Sequence, residues 1–151
     1  MDEKINLKSI LEYVSADFDR VINFWLKNSH DDEFGGFFNC IDENGLVYDH
    51  TKYIWLQARQ VWMYARIYNS VERYKNNENL LSASIKSAKF LMNDEIRNPV
   101  TYKCCFSCTR EGKPLKIQRT IFSECFYFMA MSEVYIATRD ELYKVKLLKL
   151  V

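Results

Sequence analysis

The sequence predicts an all-α fold: a two-layered helical array with short β-hairpins between the helices. Three observations carry that prediction. Glycine (4 residues) and proline (2 residues) are too scarce for the many tight turns of an all-β chain. Helical stretches of two kinds alternate, one with a single apolar stripe and one apolar on every side. The pattern also repeats. Phe38-Asn39-Cys40 matches Phe106-Ser107-Cys108 at an offset of 68 (106 − 38), while Gly45 matches Gly112 and Tyr68 matches Tyr135 at an offset of 67. A repeat of about 67 residues, each unit pairing an outer-type with an inner-type helix, describes an array whose inner helices bury their sides only against neighbours. Two such units leave the open sides of the array exposed.

The elements follow in order. Residues about 5–28 place Leu7, Ile10, Leu11, Val14, Phe18, Val21, Ile22 and Trp25 at helical spacing, with Lys4, Lys8, Glu12, Asp19 and Asn23 largely opposite. Gly35 to Ile41 and Leu46 to Tyr48 flank Asn44-Gly45, which reads as a hairpin. Residues about 51–74 form a helix apolar all round, carrying Tyr53, Ile54, Trp55, Leu56, Val61, Trp62, Met63, Tyr64, Ile67 and Tyr68. An amphipathic helix over about 78–96 follows, with Leu81, Ile85, Ala88 and Leu91 on one side and Pro99 marking the break. A second hairpin spans Lys103 to Ile117, turning near Arg110-Glu111-Gly112. A helix apolar all round comes next, over about 119–137. Asp140 to Val151 begins a fifth helix, with Leu142, Val145, Leu148 and Leu150 apolar. It ends on Leu150-Val151 with no cap or polar tail. The expectation is a truncated product, a fragment or a short isoform, in which residues 1–151 form one incomplete domain of about two helical-hairpin repeats plus the start of a third; the alternative is a complete small bundle whose last helix ends there.

Composition narrows the function. The chain of 151 residues has room for one domain, and 48% hydrophobic with 27% charged residues is a globular balance. Aromatic residues reach 15%, which points to a dense core or an aromatic-lined cavity. With 21 basic and 20 acidic residues the net charge is +1, which gives no electrostatic case for nucleic acid. The longest apolar run, Cys125 to Met131, falls far short of the ~20 residues that span a bilayer. Met1-Asp2-Glu3-Lys4 lacks the pattern of a signal peptide. Five cysteines are therefore expected as reduced thiols, in a cytoplasmic protein.

Few residues suggest chemistry. Arg59 lies mid-helix between Ala58 and Gln60, and a guanidinium buried there needs a partner or a ligand. Trp55 is four residues earlier and on the same face. An indole that stacks on a sugar ring beside a guanidinium that binds its oxygens suits a sugar site. The other reading pairs Arg59 with a carboxylate such as Glu124. Cys104-Cys105-x-x-Cys108 lacks a second matched pair of ligands, so no metal is expected and the thiols are read as free. His30 follows a helix end and His50 precedes the second helix. Both read as exposed or capping residues, and no nucleophilic triad or glycine-rich phosphate loop is present.

Longer stretches match a known family. Phe24-Trp25-Leu26-Lys27, Ser29-His30-Asp31, Gly35-Gly36-Phe37-Phe38, Lys52-Tyr53-x-Trp55-Leu56-Gln57-x-Arg59-Gln60-Val61-Trp62-Met63-Tyr64 and Gln118-Arg119-Thr120-Ile121-Phe122-Ser123-Glu124-Cys125-Phe126-Tyr127 closely resemble the N-acylglucosamine 2-epimerase (renin-binding protein) family. The resemblance covers about residues 20–137 and fades after about 138. It implies that the chain is the N-terminal part of an (α/α)6 toroid, a six-hairpin double ring of helices. Six units of this length make about 400 residues.

The resemblance also implies an activity, the interconversion of N-acetylglucosamine and N-acetylmannosamine by removal and return of the C2 proton, a reaction of amino-sugar and sialic acid metabolism. The family's proton-transfer histidines match no position in this chain, so no catalytic residue is expected within it. Its pocket tryptophan and arginine do match, as Trp55 and Arg59. Tyr53 and Phe122 are further candidates for the sugar-binding wall. No cofactor is required, and a nucleotide such as ATP enters as an activator. The partners implied are an N-acetylated hexosamine, a second copy in a homodimer, and renin. The alternative function is a non-catalytic binding or regulatory protein, such as a renin-binding or subunit-associating fragment.

Overall fold

A computed structural model describes residues 6–118 and 120–148. Arg119 of the quoted motif, Lys4, and Leu150-Val151 lie outside the described residues, as does the side chain of Leu148. The helices are α1 (Leu7–Asn28), α2 (Ile54–Ser70), α3 (Glu78–Leu91), α4 (Phe122–Thr138) and α5 (Glu141–Leu148). The strands are short: β1 (Cys40–Ile41), β2 (Val47–Asp49), β3 (Lys52–Tyr53), β4 (Ser107–Cys108) and β5 (Pro114–Lys116).

The repeat is visible in three dimensions. α2 and α4 are each 17 residues long, and their first residues, Ile54 and Phe122, stand at the same offset as Phe38 and Phe106. They lie side by side as the inner layer, and α3 packs against both. Along α2 the buried residues are Ile54, Gln57, Ala58, Gln60, Val61, Tyr64, Ala65 and Ile67. On α4 they are Ser123, Glu124, Tyr127, Ala130, Met131, Glu133 and Val134. The two helices are also tied by polar bonds. Arg66 Nη1 donates to Glu133 Oε1 at 3.0 Å, and Asn69 Nδ2 donates to Glu133 Oε2 at 2.8 Å.

Several boundaries differ from the sequence reading; α2, for one, ends at Ser70 and not near 74. Lys52 and Tyr53 do not open the second helix. They form β3, which pairs antiparallel with β4, Lys52 opposite Cys108 and Tyr53 opposite Ser107. The second hairpin is therefore a three-stranded sheet, β3-β4-β5, that takes one strand from the first unit. α3 starts at the Asn77 cap, whose side chain accepts from Leu80 N–H, and stops at Leu91, well before Pro99. Asn93 then makes a turn, its Oδ1 accepting from Glu95 N–H.

α1 shows its predicted stripe, but only its C-terminal half is covered. Ile22 is buried and Phe18, Trp25 and Leu26 pack against the core, whereas Leu7, Leu11 and Val14 are 77%, 66% and 55% exposed. Among the described residues no core side chain covers the first two turns.

Candidate functional site

The site starts from where the inner helices begin. Trp55 is the second residue of α2, and Phe122 is the first of α4. Side-by-side packing brings these ends together. The Trp55 ring lies 5.4 Å from Phe122 and 6.0 Å from Phe126, and Phe122 and Phe126 meet edge-on at 5.2 Å. Arg59, one turn along α2, holds its guanidinium 5.0 Å over the Trp55 ring. Three of the four proposed sugar-contacting residues thus form one aromatic and cationic patch.

Arg59 itself corrects the sequence reading. It is exposed, not buried. α2 is apolar all round in sequence, yet Arg59 and Arg66 are exposed and Trp55 and Trp62 are only partly buried. The pairing with Glu124 is not formed. Glu124 Oε1 instead accepts from Cys104 N–H at 2.8 Å. Among the described residues Arg59 enters no ion pair.

Tyr53, the fourth candidate, sits in β3 and turns to Phe106, with ring centres 5.8 Å apart. Its N–H donates to Asn39 Oδ1, which also accepts from Gln57 Nε2. Gln57 fixes the loop before β1 as well, accepting from Phe37 N–H at 2.7 Å and donating to Phe37 O at 2.6 Å.

His30 is half-buried, not exposed. Its ring lies against Phe37 (5.6 Å) and Tyr64 (6.1 Å), its Nε2 is buried without a partner among the described residues, and burial lowers its pKa. His50 is exposed and borders an open cleft of about 560 Å3 between the hairpins, with Asp49, Thr109, Arg110 and Glu111. Neither histidine touches the Trp55 patch.

Two buried polar groups escape the sequence reading. Lys52 Nζ donates to Asp31 Oδ2 (2.8 Å), Gly35 O (2.7 Å) and Arg110 O (2.8 Å), with both the Lys52 and Asp31 side chains fully buried. Arg110 closes the other side of Asp31 with two bonds of 3.0 Å. The buried Arg97 guanidinium lies over the rings of Tyr102 and Tyr127, at 4.9 and 5.0 Å. A lysine heading an apolar helix is the available signal for the first group; nothing local marks the second. Cys104, Cys105 and Cys108 are buried free cysteines, and among the described residues no group of three His, Cys, Asp or Glu side chains is placed to hold a metal ion. Nor is any described helix long and apolar enough to cross a membrane.

The chain is similar to known proteins in sequence and fold. Residues 36–149 match the N-acylglucosamine 2-epimerase (GlcNAc 2-epimerase) family. The chain is 49% identical over 142 residues to N-acylglucosamine 2-epimerase of Mus musculus, covering 94% of this chain and 34% of that protein. To the Homo sapiens enzyme of the same name it is 47% identical over 144 residues, covering 95% of this chain and 34% of that one. The chain thus spans about a third of the length of these curated relatives. A solved cellobiose 2-epimerase from Spirochaeta thermophila superposes on 99% of this chain and 36% of its own, with a TM-score of 0.82 at 21% identity. That likeness places the fold among the (α/α) toroids. The family match and the identities to the mammalian enzymes together establish that the chain belongs to the N-acylglucosamine 2-epimerase family.

Proposed function

We propose that this chain supplies the sugar-binding wall of an N-acylglucosamine 2-epimerase, which interconverts N-acetylglucosamine and N-acetylmannosamine. One observation carries the reading: the exposed Arg59 guanidinium lies over the Trp55 ring at the open end of the inner helices, beside Phe122. The indole offers an apolar face to the C–H side of a hexosamine. The guanidinium offers hydrogen-bond donors to its hydroxyl and carbonyl oxygens. Epimerisation then requires proton removal from C2, next to the carbonyl of the opened sugar, and return on the opposite face. Neither His30 nor His50 contacts the patch, so the proposal assigns proton transfer to residues outside this chain. The 151-residue chain alone is expected to bind but not to turn over. The domain proposed is one toroid segment of two helical-hairpin repeats and the start of a third.

A second reading, association with another protein, draws on the apolar side of α4, where Phe128 and Ile136 are each 44% exposed. A second copy in a homodimer, or renin, would be the partner.

The test measures N-acetylglucosamine binding through tryptophan fluorescence, with N-acetylmannosamine formation assayed in parallel. Arg59→Ala is expected to weaken binding by about 10-fold or more, the loss of hydrogen bonds from a charged donor. His50→Ala should leave it unchanged. Binding indifferent to Arg59→Ala would overturn the proposed wall. Turnover by the 151-residue chain would show that the proton-transfer groups lie within it.

A further inference from the structure

The two inner helices begin without the caps that open α1 and α3. Asn6 and Asn77 start those helices, each side chain accepting a backbone N–H of the first turn. Tyr53 and Ile121 precede α2 and α4, and neither side chain makes a cap bond. One segment, residues 104–106, holds both first turns instead. Phe106 O accepts the Ile54 N–H of α2 at 3.0 Å. Glu124, the third residue of α4, reaches the same segment, its Oε1 accepting the Cys104 N–H at 2.8 Å. A glutamate at this helical position commonly turns back to the N–H of its own cap; Glu124 reaches across to another element. The segment is itself anchored between these bonds. Cys105 N–H donates to Ile96 O at 2.9 Å, and Phe106 N–H donates to Lys116 O at 2.7 Å.

Glu124 lies between Phe122 and Phe126 in the chain, and both of those rings meet Trp55, at 5.4 and 6.0 Å. We propose that Glu124 is a positioning residue for the sugar-binding wall. Through Cys104 it fixes the start of α4 relative to the start of α2, and so sets Phe122 and Phe126 against the Trp55 ring. The link to sugar binding rests on the function proposed above; the geometry does not.

Two contributions of Glu124 need separating. A carboxylate suits the positive end of the α4 dipole, but that attraction holds wherever the helix starts and places nothing. The bond to Cys104 is directional. Glu124 is 8% exposed, so the bond is made away from water, and its loss strands the Cys104 N–H. The bond, and not the charge, is therefore what positions the helix.

Nuclear magnetic resonance on the intact 151-residue chain tests this without a ligand. The Trp55 indole N–H resonance, assigned by its loss in Trp55→Phe, senses the ring currents of Phe122 and Phe126. Trp25, on α1, is the internal reference. Glu124→Gln keeps an oxygen that accepts from Cys104 and removes the charge. Glu124→Asp keeps the charge but is one methylene too short to reach. Glu124→Ala lacks both. The expected result is a Trp55 resonance at the wild-type position in Glu124→Gln and displaced in Glu124→Asp and Glu124→Ala, whatever happens to the urea midpoints. N-acetylglucosamine titrations should follow the same order. Binding should weaken by about 2–10-fold in the displaced variants, the worth of one misaligned aromatic contact. An unmoved Trp55 resonance in folded Glu124→Asp and Glu124→Ala would overturn the proposal. Equal displacement in Glu124→Gln and Glu124→Ala would also overturn it, by assigning the effect to charge. Amide exchange in the wild type decides the matter even if the variants fail to fold: the Cys104 N–H should be protected, and exchange at the rate of an exposed amide would remove the bond. A wild type that shows the expected resonances in its variants but binds no sugar would refute the wall and leave the positioning of Trp55 standing.

Discussion

Lys52 has no exposed side-chain surface, and its ammonium is held by a carboxylate and two backbone carbonyls. Such a charge is tolerated only because every donor is satisfied. Burial alone would raise the pKa of its partner Asp31. The hydrogen bonds from Arg110, Lys52 and Phe34 N–H outweigh burial and hold that carboxyl well below the usual carboxylate range. The sign follows from linkage: a carboxyl depressed in the folded state stabilises the fold above its unfolded pKa of ~4, and that contribution is lost as pH falls below this. Asp31→Asn should therefore cost about 3–5 kcal/mol at pH 7, since it strands Lys52 without its counter-charge. Urea midpoints at pH 7 and pH 3 check this. The gap between wild type and variant should narrow at the lower pH, and a constant gap would contradict the ion-pair account.

Gly36 shows how one residue governs the meeting of two elements. Its φ is +74°, and a Cβ there would lie 2.7 Å from Gln57 Oε1 and 2.9 Å from Phe90 Cδ1. Gly35 next to it has φ +79° but its nearest neighbour would be 3.6 Å away. Both alanine variants carry the left-handed strain of about 1–3 kcal/mol. Gly36→Ala should cost clearly more, because it also displaces the Gln57 amide that joins α2 to the loop before β1. Thermal melts of the two variants isolate that extra cost, and equal melting points would remove it. At this scale much is readable in the sequence. α2 and α4 are legible because apolarity on every side and the Phe38–Phe106 repeat are patterns of the chain itself. The Trp55–Arg59 pairing is readable from its four-residue spacing. The start of α2 is not, because Lys52 and Tyr53 are claimed by a strand at Ser107–Cys108, and no window around them contains that partner. Arg59 reads as buried because Trp55 and Trp62 count as apolar letters, although in the structure their rings cover the helix flank only in part.

The whole molecule displays more apolar surface than a closed array would. The first turns of α1 and the outer side of α4, with Phe128 and Ile136, are uncovered among the described residues. Such patches bind amphipathic dyes. Phe128→Glu and Ile136→Glu together should lower anilinonaphthalene sulfonate fluorescence substantially. Stability should shift by only about 0.5 kcal/mol per site, since each is a surface change. A large loss of stability would mean that this side is covered in solution. The interlocked sheet has a different consequence, in the order of synthesis. β3 belongs to the first unit by position but to the second by pairing, and Ile54 N–H, at the first turn of α2, waits for Phe106. The ribosome delivers residue 106 only after α2 and α3 have been made, about 3–10 s later at common elongation rates. Until then the nascent chain carries Lys52 without its strand partner and Trp55 on an unanchored helix end. The first unit is thus finished by the arrival of the second, and any pause between codons 55 and 105 prolongs its exposure to chaperones.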